Sequence, residues 1–457
     1  MSAISGPRTC RRDTLRLAAG ATATLWLTAC GAAGPTGARG EITLHFQGAG
    51  PTDLNPTLLA EFEARHPGVR VAATLPPAPA TRDQQLISAF VAGSGPDVFW
   101  SAAPWAFARG PWLLDLSPLV RDSGFELAAF PASQLLAYRR QGGLYGLPRT
   151  CNPSVFVART DIWASAGIPL PTGHYTAAEL AATWARFTER GKRAGGELDW
   201  SPTSTYYLRG FGAHLVDPTD DLRCVVGSPA AQACGTWIWQ RFWRDGSARG
   251  TQGQNGWAAF GQGSLGMALV SAAALPGATQ VYTNFPWRLV PFPRWPAGNA
   301  TSTTSEFYGI HAGTAHRTAA WALLQFVVSA PWQRAGITTG LIPPARTQLW
   351  PHFLLALGQR VPGLQDQPLP LLAAGVVGGW AYPPETFRYQ DAALAILTNY
   401  WTRIFGTARG LPVVQGLPAA AAAVDSTEAR AAQAASRPGG ATTPEGGGGT
   451  TPADLFG

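Results

Sequence analysis

Residues 41–75 read EITLHFQGAGPTDLNPTLLAEFEARHPGVRVAATL, and the order of patterns within them decides the fold. EITLHFQ alternates apolar and polar side chains, the period of a strand with one buried face. Asn55-Pro56 supplies an N-cap with proline at the first helical position. Leu58, Leu59 and Phe62 give the following helix one apolar face, and Pro67-Gly68 stops it. Val69 to Leu75 predicts a second strand. Leu86, Ile87, Phe90 and Val91 mark a second helix ended at Gly93, and Asp97 to Trp100 a third strand. Strand–helix–strand–helix–strand is the pattern of a parallel sheet with helical crossovers. Ligands of such sheets sit beyond the carboxyl ends of the strands. Topology alone therefore directs attention to Gln47-Gly48 and Trp100-Ser101.

Downstream, Thr176-x-x-Glu179 is a capping box, followed by Leu180, Trp184 and Phe187 at helical spacing. Ser228-Pro229 starts a helix carrying Trp237, Ile238 and Phe242. Ser305 to Ile310 reads as a strand leading into a helix on which Trp321, Leu324 and Val328 share a face. Residues 419–434 are Ala-rich and compatible with a helix. Residues 435–457, rich in Gly, Pro and Thr, are expected to be a disordered tail.

Upstream, CRRDTLRLAAGATATLWLTACG (10–31) is too short and too weakly apolar for a spanning helix, which needs about 20 apolar residues. It has the layout of a secretory signal. Arg11-Arg12 with Leu15 and Arg16 resembles a twin-arginine export signal, with Thr14 in place of the usual Phe. Leu27-Thr28-Ala29-Cys30 resembles a bacterial lipobox, in which Cys30 would become the lipid-modified first residue. Residues 1–29 are thus expected to be a cleaved signal and 30–40 a lipid-anchored spacer.

Losing residues 1–29 takes Arg8, Arg11, Arg12, Arg16 and Asp13 away, and the formal charge of +7 falls to about +4. Basic residues are almost all Arg, with Lys192 the sole lysine, and no dense basic run points to nucleic acid. Hydrophobic content of 46% supports full-sized cores, and the length allows two or three domains. An extracytoplasmic setting permits disulfides. Cys224 with Cys234 is the favoured pair because their separation is short, and three buried thiols at Cys151, Cys224 and Cys234 is the alternative. The seven histidines show no zinc-like spacing, and no metal or cofactor is expected. Eighteen Trp are mostly core, but aromatic faces also suit sugar rings.

GQGSLG (261–266) fits GxGxxG literally, but a dinucleotide site needs a strand before the glycines and a helix after them. Here Trp257-Ala-Ala-Phe260 reads as helix and Met267-Ala-Leu-Val270 as strand, so the order is reversed. There is no GxSxG elbow and no HExxH.

Five stretches carry a family resemblance. LLAEFEARHPGVRV, QLISAFVAGSGPDVFW, GGLYGLPRTCNPSVFVARTDIWASAGIPLPTG, WAAFGQGSLGMALVSAA and AHRTAAWALLQFVVSAPWQRAGITTGLIPPARTQL resemble, in order and spacing, the family-1 extracellular solute-binding proteins of ABC importers, the group that includes maltose-binding protein. The resemblance spans about residues 41–350 and weakens beyond.

It implies an α/β chain with the two-lobed type II periplasmic-binding-protein fold. Each lobe would be a mostly parallel sheet flanked by helices, and crossover hinge strands would join the two. Residues 41–150 with 306–355 would form lobe 1, and 151–305 with 356–434 lobe 2. It implies capture of a mono- or oligosaccharide by hinge closure, without catalysis, and delivery to permease subunits in the membrane by a lipid-anchored monomer. The expected ligand contacts are Gln47 and Trp100 from lobe 1, Arg149 and Asn152 at the first crossover, and Glu306 and Tyr308 at the second. Tyr207 and Ser271 would come from lobe 2, with Trp257 and Trp380 as stacking platforms. A carboxylate at Glu306 can accept from two adjacent sugar hydroxyls, or it can pair with an arginine across the hinge. Arg149 and Arg346 keep a phosphorylated solute such as glycerol 3-phosphate open. A surface-anchored glycoside hydrolase using paired carboxylates and a scaffolding lipoprotein are the other classes.

Overall fold

The computed structural model describes residues 41–76, 81–107, 110–251, 257–281 and 284–436. The signal, Cys30, the spacer and nearly all of the expected tail lie outside them. The strands are β1 (Ile42–Gln47), β2 (Val69–Thr74), β3 (Val98–Ser101), β4 (Arg139–Arg140), β5 (Gly143–Leu144), β6 (Leu147–Arg159), β7 (Gly196–Asp199) and β8 (Val216–Asp217). They continue as β9 (Asp220–Cys224), β10 (Ala248–Thr251), β11 (Met267–Ser271), β12 (Trp287–Val290), β13 (Arg294–Trp295), β14 (Gly298–Asn299), β15 (Thr301–Ile310) and β16 (Ala381–Tyr382).

The opening stretch folds as its pattern predicts. Leu44 and Phe46 of β1 are fully buried, and Asn55 caps the helix Pro56–Arg65 by accepting from the Leu58 amide. β1 pairs in parallel with β2 and with β3. The main sheet runs β11-β6-β15-β3-β1-β2, with β12 also on β6 and β16 also on β15. Parallel pairing holds for β2-β1-β3, β7-β10 and β15-β16. The β15-β6 and β15-β3 pairs, and those of β11 and β12 with β6, are antiparallel. β6 and β15 traverse the molecule in opposite directions, and each serves a different core at each end. The strand expected over 305–310 is accordingly longer, because its first residues pair with β16 and with β6.

One core contains Phe46, Phe62, Phe99, Phe107 and Leu147, completed by Phe307, Tyr308, Leu324 and Trp332 from far along the chain. Two further cores hold residues 151–300 with the C-terminal helices; Leu349, Trp350 and Phe353 pack there. The helix Val413–Ala435 is longer than the Ala-rich run suggested and passes through Pro418. Asp425 on it accepts from the Cys224 amide, tying the helix to β9.

The expected Cys224–Cys234 bridge is not formed. Both are free buried thiols, as is Cys151. Cys224 ends a strand, Cys234 sits on the core face of the helix Pro229–Trp239, and both pack as small apolar side chains in one core. Burial pushes the Cys151 and Cys224 thiols up to about 12. A thiol that titrates near 8.5 when unfolded then contributes stability that is complete below that pH and is lost as pH rises toward 12. Urea midpoints are therefore expected to fall steadily above about pH 8.5, and a Cys151→Ser, Cys224→Ser variant to show a shallower fall.

Gly266 of the GQGSLG stretch has a packing role. A Cβ there would stand 2.8 Å from both the Gly195 carbonyl oxygen and the Phe187 ring. Its own carbonyl accepts from the Trp163 indole at 2.9 Å. The helix Trp257–Gly261 precedes it and β11 follows, the reverse of a nucleotide fingerprint.

Candidate functional site between the cores

β1 ends at Gln47, and a single 3-10 turn, Pro51–Asp53, brings the chain back over its end. Gly48 permits this, because a Cβ there would lie 2.6 Å from the Asp53 Cβ. Asp53 accepts from the Ala49 amide and faces β6. Arg149 of β6 donates from Nε to Asp53 Oδ2 at 3.0 Å and from Nη2 to Asp53 Oδ1 at 3.1 Å. Its Nη1 donates to Glu306 Oε2 at 2.8 Å, and Nε also reaches the Tyr308 hydroxyl at 3.2 Å. Trp100 donates its indole N–H to the same Glu306 oxygen at 2.9 Å. Above the Trp100 ring, at 3.9 Å, lies the Arg82 guanidinium, which pairs with Asp83. Ser101 donates to that aspartate.

Four of the expected residues, Trp100, Arg149, Glu306 and Tyr308, thus meet with Asp53 in one knot at the carboxyl ends of β1 and β3. Burial opposes the Arg149 charge, but Tyr308, Asp53 and Glu306 outweigh it and hold the guanidinium above its ordinary value. Burial, with Asp53 beside it, pushes the Tyr308 phenol well up. Arg149 is committed to two carboxylates, which is the arginine pairing weighed for Glu306. The Gln47 side-chain amide oxygen, Oε1, beside this region is buried with no partner among the described residues.

The other expected contacts are dispersed. Asn152 accepts from the Ala273 amide at 2.8 Å and donates to Thr304 at 3.3 Å, so it binds β15 to the turn after β11. Ser271 ends β11, and its hydroxyl accepts from the Ala274 amide. Trp257 is half-buried and donates to the Leu269 carbonyl. Tyr207 is a core side chain, its ring 3.9 Å from that of Tyr206. Trp380 folds back over its own helix end, where a Cβ on Gly378 would be 2.3 Å from its indole nitrogen. Arg346 donates to the Val328 carbonyl and covers Phe130.

Sequence reasoning missed one cavity. A cavity of about 400 Å³ is lined by Phe107, Leu113, Tyr138, Tyr145 and Phe307 from the first core's segments. Arg140 faces Asp221 and Arg388 of the second core's segments across it. The volume lies in the range of small-molecule sites, about 300–1,000 Å³. Nothing in the local sequence marks Arg140, Asp221 or Arg388; their meeting depends on three distant segments.

Residues 50–334 match the family described as bacterial extracellular solute-binding protein. The chain belongs to that family. Among solved structures, the solute-binding chain is similar to the sugar-binding protein MalE of Xanthomonas citri, with a TM-score of 0.69 at 18% identity over 86% of this chain and 98% of the other. It is similar to the Listeria monocytogenes ABC substrate-binding protein Lmo0181, solved with cycloalternan, with a TM-score of 0.63 at 15% identity over 85% and 99%. UgpB of Mycobacterium tuberculosis, solved with glycerophosphocholine, gives 0.63 at 19% identity over 86% and 99%. At these identities the likeness is one of fold, and it is that of the type II periplasmic binding proteins. A Streptomyces antibioticus protein described as an uncharacterized lipoprotein is 30% identical over 187 residues, 38% of this chain. The match spans 37% of that relative's length.

Proposed function

We propose that this solute-binding protein captures a carbohydrate between two lobes hinged on β6 and β15 and delivers it to the membrane subunits of an ABC importer, without performing chemistry on it. The observation that carries the reading is the cavity of about 400 Å³, lined by the first core's segments and by Asp221 and Arg388 from the second's. Aromatic side chains meet the apolar faces of a sugar ring while Arg and Asp take its hydroxyls. The sugars and oligosaccharides bound by neighbours of the same fold support it. The phosphorylated-solute reading has less to stand on, since Arg149 is neutralised by Asp53 and Glu306, and Arg346 is spent on a carbonyl and a ring. Against the glycoside-hydrolase reading, the two carboxylates of the knot, Asp53 and Glu306, are both bound to Arg149. We further propose export by Arg11-Arg12 and anchoring at Cys30, which would keep the receptor beside its importer; the lipoprotein relative supports the anchor.

A thermal-shift screen tests the ligand class, because a solute that binds the folded state raises its stability by mass action. Neutral sugars are expected to raise the melting temperature. If none does while glycerol phosphates or polyamines do, the carbohydrate reading is wrong. With the responding sugar, Tyr145→Ala is expected to weaken binding about tenfold, from the loss of about 1.4 kcal/mol of ring contact. Calorimetric titration of a variant with an unaltered melting temperature would read this.

A further inference from the structure

Arg140 makes two polar contacts from the first core's segments to the second's at the cavity. It stands at the end of β4, in a hairpin whose turn residues Gln141 and Gly142 have φ of 47° and 80°. Such left-handed two-residue turns match strand twist and fix the hairpin's register. Its neighbours Tyr138 and Leu144 are fixed in the first core. Arg140 Nη1 donates to Asp221 Oδ2 at 3.1 Å and Nη2 to Thr386 Oγ1 at 3.3 Å.

The receiving side is equally well held. Asp221 lies on β9, whose last residue, Cys224, is tied to the C-terminal helix. The Asp221 carbonyl accepts from the Arg388 amide, and its carboxylate takes Arg388 Nη2 at 2.6 Å. Phe387, between Thr386 and Arg388, is fully buried in the second core. The Arg140 and Asp221 side chains are 16% and 18% exposed, so water screens their attraction only in part. Gln134 makes a neutral crossing to the Ala381 carbonyl. The aspartate is thus gripped by a guanidinium from each side, but only the Arg140 grip joins the lobes.

We propose that Arg140 and Asp221 form a clasp that holds the two lobes together across the cavity before any ligand arrives, while Arg388 meets the same aspartate from within its own lobe and bridges nothing. Ligand capture then starts from an ensemble already biased toward approach, and the clasp sets how far the free receptor opens. This rests on the reading of the two cores as hinged lobes, and not on the ligand being a sugar.

Small-angle scattering of the ligand-free protein tests it. The radius of gyration of a compact unit of this size is about 22 Å. Arg140→Ala and Asp221→Asn are each expected to raise it by about 1 Å at low salt, whereas Arg388→Gln, which leaves the crossing intact, keeps the wild-type value. Scattering of Arg140→Ala and Asp221→Asn identical to wild type overturns the clasp, as does equal expansion of Arg388→Gln. Should the first two fail to fold, a salt series on the wild type decides. Its radius is expected to grow between about 20 mM and 1 M NaCl as the pair is screened, and a constant radius overturns the proposal. An expanded Arg140→Ala variant beside a failed sugar screen removes the carbohydrate reading and keeps the clasp. The converse pattern removes the clasp alone.

Discussion

Arg149→Met is expected to destabilise the protein by about 3–5 kcal/mol, the cost of leaving a buried charge without its partner. The Asp53 side chain is 4% exposed and has Arg149 as its countercharge, so the substitution strands a carboxylate that water cannot reach. Glu306, 31% exposed, loses a donor but is partly rehydrated, and most of the effect belongs to Asp53. A second change should then reverse the damage: Asp53→Asn in the Arg149→Met background is expected to recover more than half of the loss. Arg149→Lys keeps the charge but cannot span both carboxylates with a planar fork, and an intermediate value is expected. Equilibrium urea denaturation of the four proteins gives the ordering. A single Arg149→Met variant as stable as wild type would show that the knot contributes nothing net.

Trp100→Ala is expected to cost a similar amount, about 3–5 kcal/mol, for a different reason. It empties the volume of a nearly buried indole, uncovers the Arg82 guanidinium stacked on it and removes the N–H that Glu306 accepts. Trp100→Phe separates these effects. A phenyl ring still lies under Arg82, while the bond to the charged carboxylate is gone, at an expected cost of about 1.5–3 kcal/mol. Because Trp100 is 8% exposed and one face carries Arg82, its role is to frame the site. Trp100→Phe should therefore bind the responding sugar within about twofold of wild type, as measured by calorimetric titration. A loss of tenfold or more would return Trp100 to the ligand's own surface.

The contrast between those residues and the cavity explains what the sequence can and cannot reveal. The strand–helix alternation over residues 41–101, the Asn55 cap and the Thr176 capping box are local, set by spacings of two to four residues, and they stand in the structure as read. Gln47, Trp100, Arg149 and Glu306 were reachable because strand ends and crossovers are topological places, and topology followed from element order. Whether such a side chain faces ligand or another side chain is decided by packing, which leaves no local trace. The Asp53 turn and the Arg82 stack changed the meaning of Arg149 and Trp100 for that reason. Tyr207 and Trp380 show the same limit, since aromatic residues at helical or glycine-flanked positions satisfy core and pocket equally well. Arg140, Asp221 and Arg388 were out of reach altogether, because 81 and 167 positions separate the members of the two ion pairs.

The long strand β15 also has a consequence for how the chain is made. The sheet β2-β1-β3 is complete as a sequence by residue 101, yet its core gains Phe307, Tyr308, Leu324 and Trp332 only after 300 residues have been synthesised. Until then Phe46 lacks Tyr308 and Trp332, Phe99 lacks Phe307, and the sheet edge later covered by β15 is open to other chains. Closing that core is a late and strongly non-local event, the kind that slows folding and invites association between unfinished molecules. On the proposed twin-arginine route, transport waits for it: the last step of folding becomes the step that admits the protein to the envelope.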